Sequence, residues 1–147
     1  MDKIKKLQNK QIIKVVTGVR RCGKSTLLKQ FQQFLLESGV NREQIIDINF
    51  EAVENEHLLE YHAMHDYVKE RLISGKMTYI FLDEIQKVEC FEKVVDSLYI
   101  KDNIDIYITG SNAFMLSGEL ATLLSGRYIE IKMLPLSFKP ESAKLIF

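Results

Sequence analysis

Residues 18–25 read GVRRCGKS and fit the pattern G-x-x-x-x-G-K-[ST]. The preceding segment, residues 12–16, is mainly apolar and has the length of a buried strand, while residues 26–36 carry apolar side chains at helical spacing. A strand, a glycine-bounded loop and a helix in this order are the setting in which the pattern forms the phosphate-binding loop of nucleoside triphosphatases. We therefore predict an α/β fold in which this loop binds a nucleotide.

The residue types of the loop suit a chain of phosphates. Glycines at both ends let the backbone curl so that successive N–H groups point inward, and the following helix directs its free N-terminal N–H groups toward the anion. We expect Lys24 to reach the outer phosphates and the Ser25 hydroxyl to bind Mg²⁺. The residues predicted to bind the nucleotide are Gly18, Val19, Arg20, Arg21, Cys22, Gly23, Lys24, Ser25 and Thr26.

A pair of acids ends a later strand-like segment. Residues 80–82 are apolar and lead directly into Asp83 and Glu84. An acid in this position can hold Mg²⁺ because the ion prefers hard oxygen ligands, so we assign Asp83 to the metal. Glu84 would then orient and deprotonate an attacking water. Downstream of a phosphate-binding loop, the pair is a candidate Walker B motif.

Strand-like and helix-like segments alternate along the chain. The predicted strands are residues 11–17, 44–50, 77–82, 104–109 and 127–134, and the predicted helices are residues 24–38, 56–73, 91–100 and 112–124. This alternation predicts a parallel sheet with helices on both faces. Ligands of such sheets bind at the carboxyl ends of the strands, so residues 109–112 are candidates to contact the γ-phosphate or the water. The alternative is a turn in which Asn112 caps the next helix.

Composition limits the partners. The chain of 147 residues suits one domain, and its 20 basic and 20 acidic residues give no net field that favours nucleic acid or a membrane. The basic residues Lys3, Lys5, Lys6 and Lys10 leave a nucleic-acid contact open without supporting one. Two cysteines, one of them inside the loop, favour a reducing cytoplasm. We expect no membrane span, because no apolar run reaches about 18 residues.

Taken together, these motifs resemble the AAA+ superfamily of P-loop ATPases, and within it a prokaryotic group of archaeal-type predicted ATPases. The likeness covers residues 11–138. The segments that carry it are residues 16–26, 79–86, 105–113, 123–128 and 134–138. The resemblance implies a three-layer α/β/α sandwich around a five-stranded parallel sheet in the order 5-1-4-3-2.

The resemblance also implies roles for two further residues. Asn112 matches the sensor-one position that reads the γ-phosphate. Arg127 matches an arginine finger acting on the nucleotide of a neighbouring subunit, which implies a homo-oligomer; from its spacing alone, Arg127 is equally a surface arginine beside an edge strand. The expected organisation is a basic leader at residues 1–10, an ATPase domain at residues 11–138, and a tail at residues 139–147 without the C-terminal domain of the family.

The resulting expectation is a cytoplasmic domain that hydrolyses ATP to ADP and phosphate with Mg²⁺, coupled to a conformational task that the sequence does not name. One alternative is a nucleotide-gated binding module with negligible hydrolysis. Another is a P-loop kinase that passes phosphate to a small molecule. No Asn-Lys-x-Asp motif follows the fourth strand, which disfavours a GTPase.

Overall fold

The computed structural model describes residues 2–18, 23–110, 126–133 and 145–146. Its helices are α1 (Asp2–Lys6), α2 (Lys24–Glu37), α3 (Tyr61–Glu70) and α4 (Phe91–Tyr99). Its strands are β1 (Ile13–Thr17), β2 (Ile45–Asn49), β3 (Thr78–Asp83), β4 (Ile104–Gly110), β5 (Tyr128–Met133) and β6 (Leu145–Ile146). Short 3₁₀ turns span Arg42–Gln44, Val53–Leu59 and Ile85–Lys87. The helix expected over residues 112–124 lies outside the described residues.

The strands form one sheet in the order β2-β3-β4-β1-β5-β6. The first five are parallel and confirm the predicted order 5-1-4-3-2. The sixth, β6, pairs antiparallel with β5 inside the stretch that was expected to be only a tail. A strand of two residues has no periodicity to read, and its pairing is made by backbone groups, so the sequence pattern did not predict it.

Two apolar layers sandwich the sheet, as the alternation of side chains along each strand requires. On one face, α2 packs Leu28 and Phe31 against Phe81 and neighbouring strand residues. On the other face, α3 and α4 pack Val68 and Val95 against the intervening residues of the same strands. The architecture is therefore the predicted three-layer α/β/α sandwich. No helix among the described residues has the length and apolar character needed to cross a bilayer.

The long helix predicted over residues 56–73 is wrong. A 3₁₀ turn at Val53–Leu59 is followed by α3 at Tyr61–Glu70, and Glu60 between them has extended backbone angles of φ −86° and ψ 127°. The Glu60 carboxylate accepts a hydrogen bond from the His62 N–H at 2.7 Å, so this residue caps α3 instead of continuing a helix.

A buried polar network lies at the amino end of the sheet, on its α2 face. The Lys14 ammonium lies 2.5 Å from Asp105 Oδ1, and both side chains are fully buried. The Tyr107 hydroxyl donates to Asp105 Oδ2 at 2.7 Å, and the Asn9 N–H donates to the same oxygen at 2.8 Å. Burial lowers the pKa of Lys14. Burial, and next the Asp105 charge, raise the pKa of Tyr107 above its ordinary value. The network ties the segment before β1 to β4.

Candidate functional site

Three neighbouring strands bring the candidate residues to one edge of the sheet. Gly18 directly follows β1, Asp83 is the last residue of β3, and Gly110 is the last residue of β4. Because β3, β4 and β1 are adjacent and parallel, their carboxyl ends meet at this edge. The end of the loop at Ser25 and the acidic pair at Asp83, 58 residues apart in the chain, therefore lie side by side.

The loop enters α2 through a backbone conformation that suits glycine. Gly23 has φ 97° and ψ 15°, a left-handed geometry that other residues adopt at a cost. The positive end of the helix dipole lies at this end of α2, where no side chain of the described residues caps the helix and the first turn holds no acid. Thr26 lies exposed in the first turn. Val19, Arg20, Arg21 and Cys22 lie outside the described residues, and their contacts stay predictions.

Lys24 is held between the loop and the acidic pair. Its side chain is only 5% exposed, and its ammonium donates to the Gly18 carbonyl at 2.8 Å. The same nitrogen lies 3.9 Å from Glu84 Oε1. A buried ammonium needs such oxygen partners, because desolvation otherwise disfavours the charge. The positive charge therefore stands where the start of the loop meets the end of β3.

Ser25 and Asp83 form an oxygen pair that fits a magnesium ion. The Ser25 hydroxyl donates to Asp83 Oδ2 at 2.6 Å, and Asp83 is 6% exposed. Mg²⁺ in proteins is commonly held by one or two carboxylates and completes its shell with water and phosphate oxygens. No group of three or more His, Cys, Asp or Glu side chains is assembled in the part of the chain that the structure describes. The donor set thus fits an ion shared with a bound phosphate.

Glu84 points toward Lys24 because its backbone turns. It has φ 58° and ψ 48°, a left-handed conformation that costs a non-glycine residue about 1 kcal/mol. Its side chain is 16% exposed, with Oε1 facing Lys24 and Oε2 accepting a hydrogen bond from Gln86 Nε2 at 2.5 Å. The carboxylate is therefore directed into the site and held there from two sides.

Thr109 is a site residue whose contacts the sequence reasoning missed. It is fully buried in β4, and its hydroxyl donates to Asp83 Oδ1 at 2.5 Å. The Thr109 hydroxyl oxygen in turn accepts a hydrogen bond from the Glu84 N–H at 2.9 Å. A threonine in a buried strand ordinarily reflects β-propensity. Asp83 and Thr109 are neighbours because Leu82 pairs with Ile108, and this register between β3 and β4 is not visible in the sequence.

Arg127 lies away from the other candidates. It immediately precedes β5, and its carbonyl accepts a hydrogen bond from the Ile13 N–H at 2.8 Å, at the amino end of β1. The rise of β1 to Thr17 separates it from the loop by about 13 Å. Its guanidinium forms an ion pair with Asp96 on α4. Arg127 therefore cannot serve the site of its own chain without a large displacement. Asn112 lies outside the described residues.

The fold and the site define a P-loop nucleoside triphosphatase domain of the AAA+ type. A family model described as "AAA domain" matches residues 10–140, and the chain belongs to this family. The chain is 45% identical over 140 residues to an uncharacterized protein of Haemophilus influenzae, covering 95% of this chain and 35% of that protein. It is 37% identical over 138 residues to uncharacterized protein MJ1544 of Methanocaldococcus jannaschii, covering 92% and 29% respectively. The chain thus spans about a third of the length of these relatives.

Solved structures share the fold. A Caenorhabditis elegans PCH-2 chain matches with a TM-score of 0.58 at 18% identity, covering 89% of this chain and 37% of that one. A chain in the structure of Drosophila ORC bound to AT-rich DNA and Cdc6 matches with a TM-score of 0.59 at 14% identity, covering 97% of this chain and 58% of that one. A DNA polymerase III gamma subunit-related protein of Thermotoga maritima reaches 0.63 at 8% identity, covering 95% and 46%. These likenesses show the fold alone, and the family model over residues 10–140 confirms the resemblance to the AAA+ superfamily.

Proposed function

We propose that this domain binds ATP with Mg²⁺ and hydrolyses it to ADP and phosphate. The observation that carries the proposal is the meeting, at one sheet edge, of a buried ammonium, a hydroxyl–carboxylate pair and a second carboxylate. Each has a task in phosphoryl transfer to water, where catalysis is mostly positioning and charge stabilisation. The side chains concerned are Lys24, Ser25, Asp83 and Glu84. Membership in the AAA domain family supports the same reading.

Binding would rest on fixed positive groups. The Lys24 ammonium, now on the Gly18 carbonyl, is placed to move onto the outer phosphates. The N-terminus of α2, which no side chain of the described residues caps, adds backbone N–H donors and the positive end of its dipole. The helix N-terminus is set by the fold before a ligand arrives, and Lys24 only has to exchange the Gly18 carbonyl for phosphate oxygens, so little reorganisation would oppose binding.

Hydrolysis would use the two acids differently. Ser25 and Asp83 would hold Mg²⁺, which supplies charge neutralisation on the phosphates. Glu84 accepts a proton from water as the bond between the water oxygen and the γ-phosphorus forms and the bond to the β–γ bridging oxygen breaks. Its position between Lys24 and Gln86 keeps the carboxylate directed into the site.

Two groups from outside this constellation complete the proposal. We infer that Asn112 reads the γ-phosphate, and that Arg127 of a neighbouring copy stabilises the transition-state charge. The distance of Arg127 from its own loop supports a role between chains and not within one. Hydrolysis would then be coupled to a conformational task in an oligomer. A cytoplasmic location is an inference from the cysteine content, and Cys90 carries a free thiol.

A nucleotide-gated binding module is the second candidate. The ion pair between Arg127 and Asp96 favours this candidate, because in a single chain Arg127 is then not placed to act on the nucleotide. Such a chain would bind ATP and turn it over slowly. The two candidates separate in a measurement of phosphate release across a range of protein concentrations.

The test of hydrolysis is a comparison of Glu84→Gln with Glu89→Gln. Both remove one carboxylate from the same stretch of chain, but Glu89 is exposed and makes no part of the proposed base. We expect Glu84→Gln to bind ATP with an affinity near that of the wild type and to release phosphate at least about 100-fold more slowly, as loss of a general base predicts. Glu89→Gln should match the wild type. Undiminished phosphate release by Glu84→Gln would remove Glu84 from the role of base.

A further inference from the structure

Two adjacent carboxylates in this site have identical chemistry and different surroundings. Both Asp83 oxygens accept hydroxyl hydrogen bonds, Oδ1 from Thr109 at 2.5 Å and Oδ2 from Ser25 at 2.6 Å. Glu84 receives its side-chain contacts from Lys24 and Gln86 instead. The proposed function asks one acid to hold a metal and the other to take a proton. These two roles require the Asp83 and Glu84 carboxylates to point in different directions.

The backbone at Glu84 makes that separation. In a continuing strand, residues 83 and 84 would point to opposite faces of the sheet. The left-handed turn at Glu84, φ 58° and ψ 48°, ends the strand and brings its side chain to within 3.9 Å of Lys24, the residue beside Ser25. This conformation is unfavourable for a side-chain-bearing residue, so it needs a compensating contact.

One hydroxyl supplies a contact to both acids. Thr109 Oγ1 donates its only proton to Asp83 Oδ1 and accepts a hydrogen bond from the Glu84 N–H. Thr109 is fully buried on β4, which lies between β3 and β1, and its branched side chain has restricted rotamers. The hydroxyl is thus a fixed point between the metal-binding acid and the turn that directs the base.

We propose that Thr109 is a positioning residue that orients Asp83 to hold the metal and Glu84 to take the proton. Its donated hydrogen bond fixes the Asp83 carboxylate with Oδ2 toward Ser25, and its accepted hydrogen bond holds the turn that directs Glu84 to Lys24. This inference rests on the proposed ATP and Mg²⁺ site and deepens it. Thr109 itself would touch neither substrate nor metal.

The test compares Thr109→Val, which removes the hydroxyl at nearly constant shape, with Thr109→Ser, which retains it. Thr78→Val is the matched control, because Thr78 is also a buried strand threonine but lies at the opposite end of β3. ATP affinity is measured by calorimetry with and without Mg²⁺, together with phosphate release and the thermal unfolding midpoint.

We expect the increase in ATP affinity caused by Mg²⁺ to be about tenfold smaller in Thr109→Val than in the wild type, the size expected for one charge-assisted hydrogen bond. Its metal-free ATP affinity should stay near that of the wild type, and phosphate release should fall about tenfold or more. Thr109→Ser should restore both. Thr78→Val should change only the unfolding midpoint. If Thr109→Val and Thr78→Val share the same Mg²⁺ dependence, Thr109 has no positioning role.

Failure of the proposed function gives a different result. A wild type that gains ATP affinity from Mg²⁺ without releasing phosphate would end the hydrolysis proposal, while a Thr109→Val loss of that gain would keep the positioning role. If the wild type and Thr109→Val hydrolyse ATP equally fast, the hydrolysis proposal is supported and the positioning role is overturned. If Thr109→Val does not fold, Thr109→Ala is measured in the same way. A wild type without any Mg²⁺-dependent gain overturns the positioning role.

Discussion

Replacing Lys24 with alanine removes the central positive charge of the site. In the structure this ammonium is 5% exposed and bonded to the Gly18 carbonyl at 2.8 Å, with Glu84 at 3.9 Å. We expect it to exchange the carbonyl for phosphate oxygens when ATP binds. The alanine variant keeps the helix, because alanine is the best helix former, and loses only the long charged side chain.

The expected loss can be worked from distance and burial. A unit charge about 4 Å from a phosphate oxygen interacts by about 4 kcal/mol at an effective dielectric constant of about 20. Part of this is offset because the ammonium already has oxygen partners in the free chain. A net loss of about 2 to 3 kcal/mol remains, which corresponds to roughly 30- to 150-fold in Kd.

The assay is calorimetric titration with Mg²⁺ and a non-hydrolysable ATP analogue. Lys29→Ala is the matched control, since Lys29 lies on the same helix but is 68% exposed and pairs with Asp47 at the surface. The control should bind the analogue with unchanged affinity, because a surface ion pair is worth little. If Lys24→Ala binds within threefold of the wild type, where threefold is about 0.6 kcal/mol, the phosphate contact assigned to Lys24 is wrong.

Two further predictions concern the rest of the molecule. In the wild type, the folded chain keeps the Tyr107 phenol proton above pH 10.0 while the unfolded chain releases it, so the free energy of unfolding should fall by up to about 1.4 kcal/mol per pH unit. Tyr107→Phe has no phenol proton, so its free energy of unfolding should fall less steeply with pH in this range. Urea unfolding on both sides of that pH measures the slope, and equal slopes for both proteins would contradict the pKa shift. Arg127→Ala should lower turnover about tenfold or more with little effect on ATP binding. Mixing it with Glu84→Gln should recover activity above either variant alone, and a mixture without recovery would argue against a role between chains.

The fold could be predicted because its deciding features are local. The loop at residues 18–25, the apolar strands and the acids after β3 are each readable over about ten residues, and the sheet order came from the resemblance that they carry. The break at Glu60 was missed because residues 56–73 keep a helix-like pattern of apolar positions across it. At this position the Glu60 side chain caps α3, although the spacing of apolar residues predicted a continuous helix.

The site was predicted less completely, because its finer contacts depend on register. Lys24, Ser25, Asp83 and Glu84 meet as expected, since strand ends of a parallel sheet converge. The contacts of Thr109 depend on how β3 and β4 are aligned, which a single sequence does not encode in a readable way. The roles given to Asn112 and to residues 19–22 stay predictions.

The ion pair between Arg127 and Asp96 has a consequence for assembly. Arg127 lies at the amino end of β1 and the Lys24 site lies at the carboxyl end of the same sheet, so a copy that receives this arginine must bring its carboxyl edge to the amino edge of the donor. If each copy gives its arginine to the next and receives one from the previous copy, the contacts repeat head to tail and produce a closed ring or an open helical filament, whereas a reciprocal exchange between two antiparallel copies produces an isologous dimer. Because the guanidinium pairs with Asp96 within its own chain, that ion pair must break before Arg127 can reach a neighbouring site.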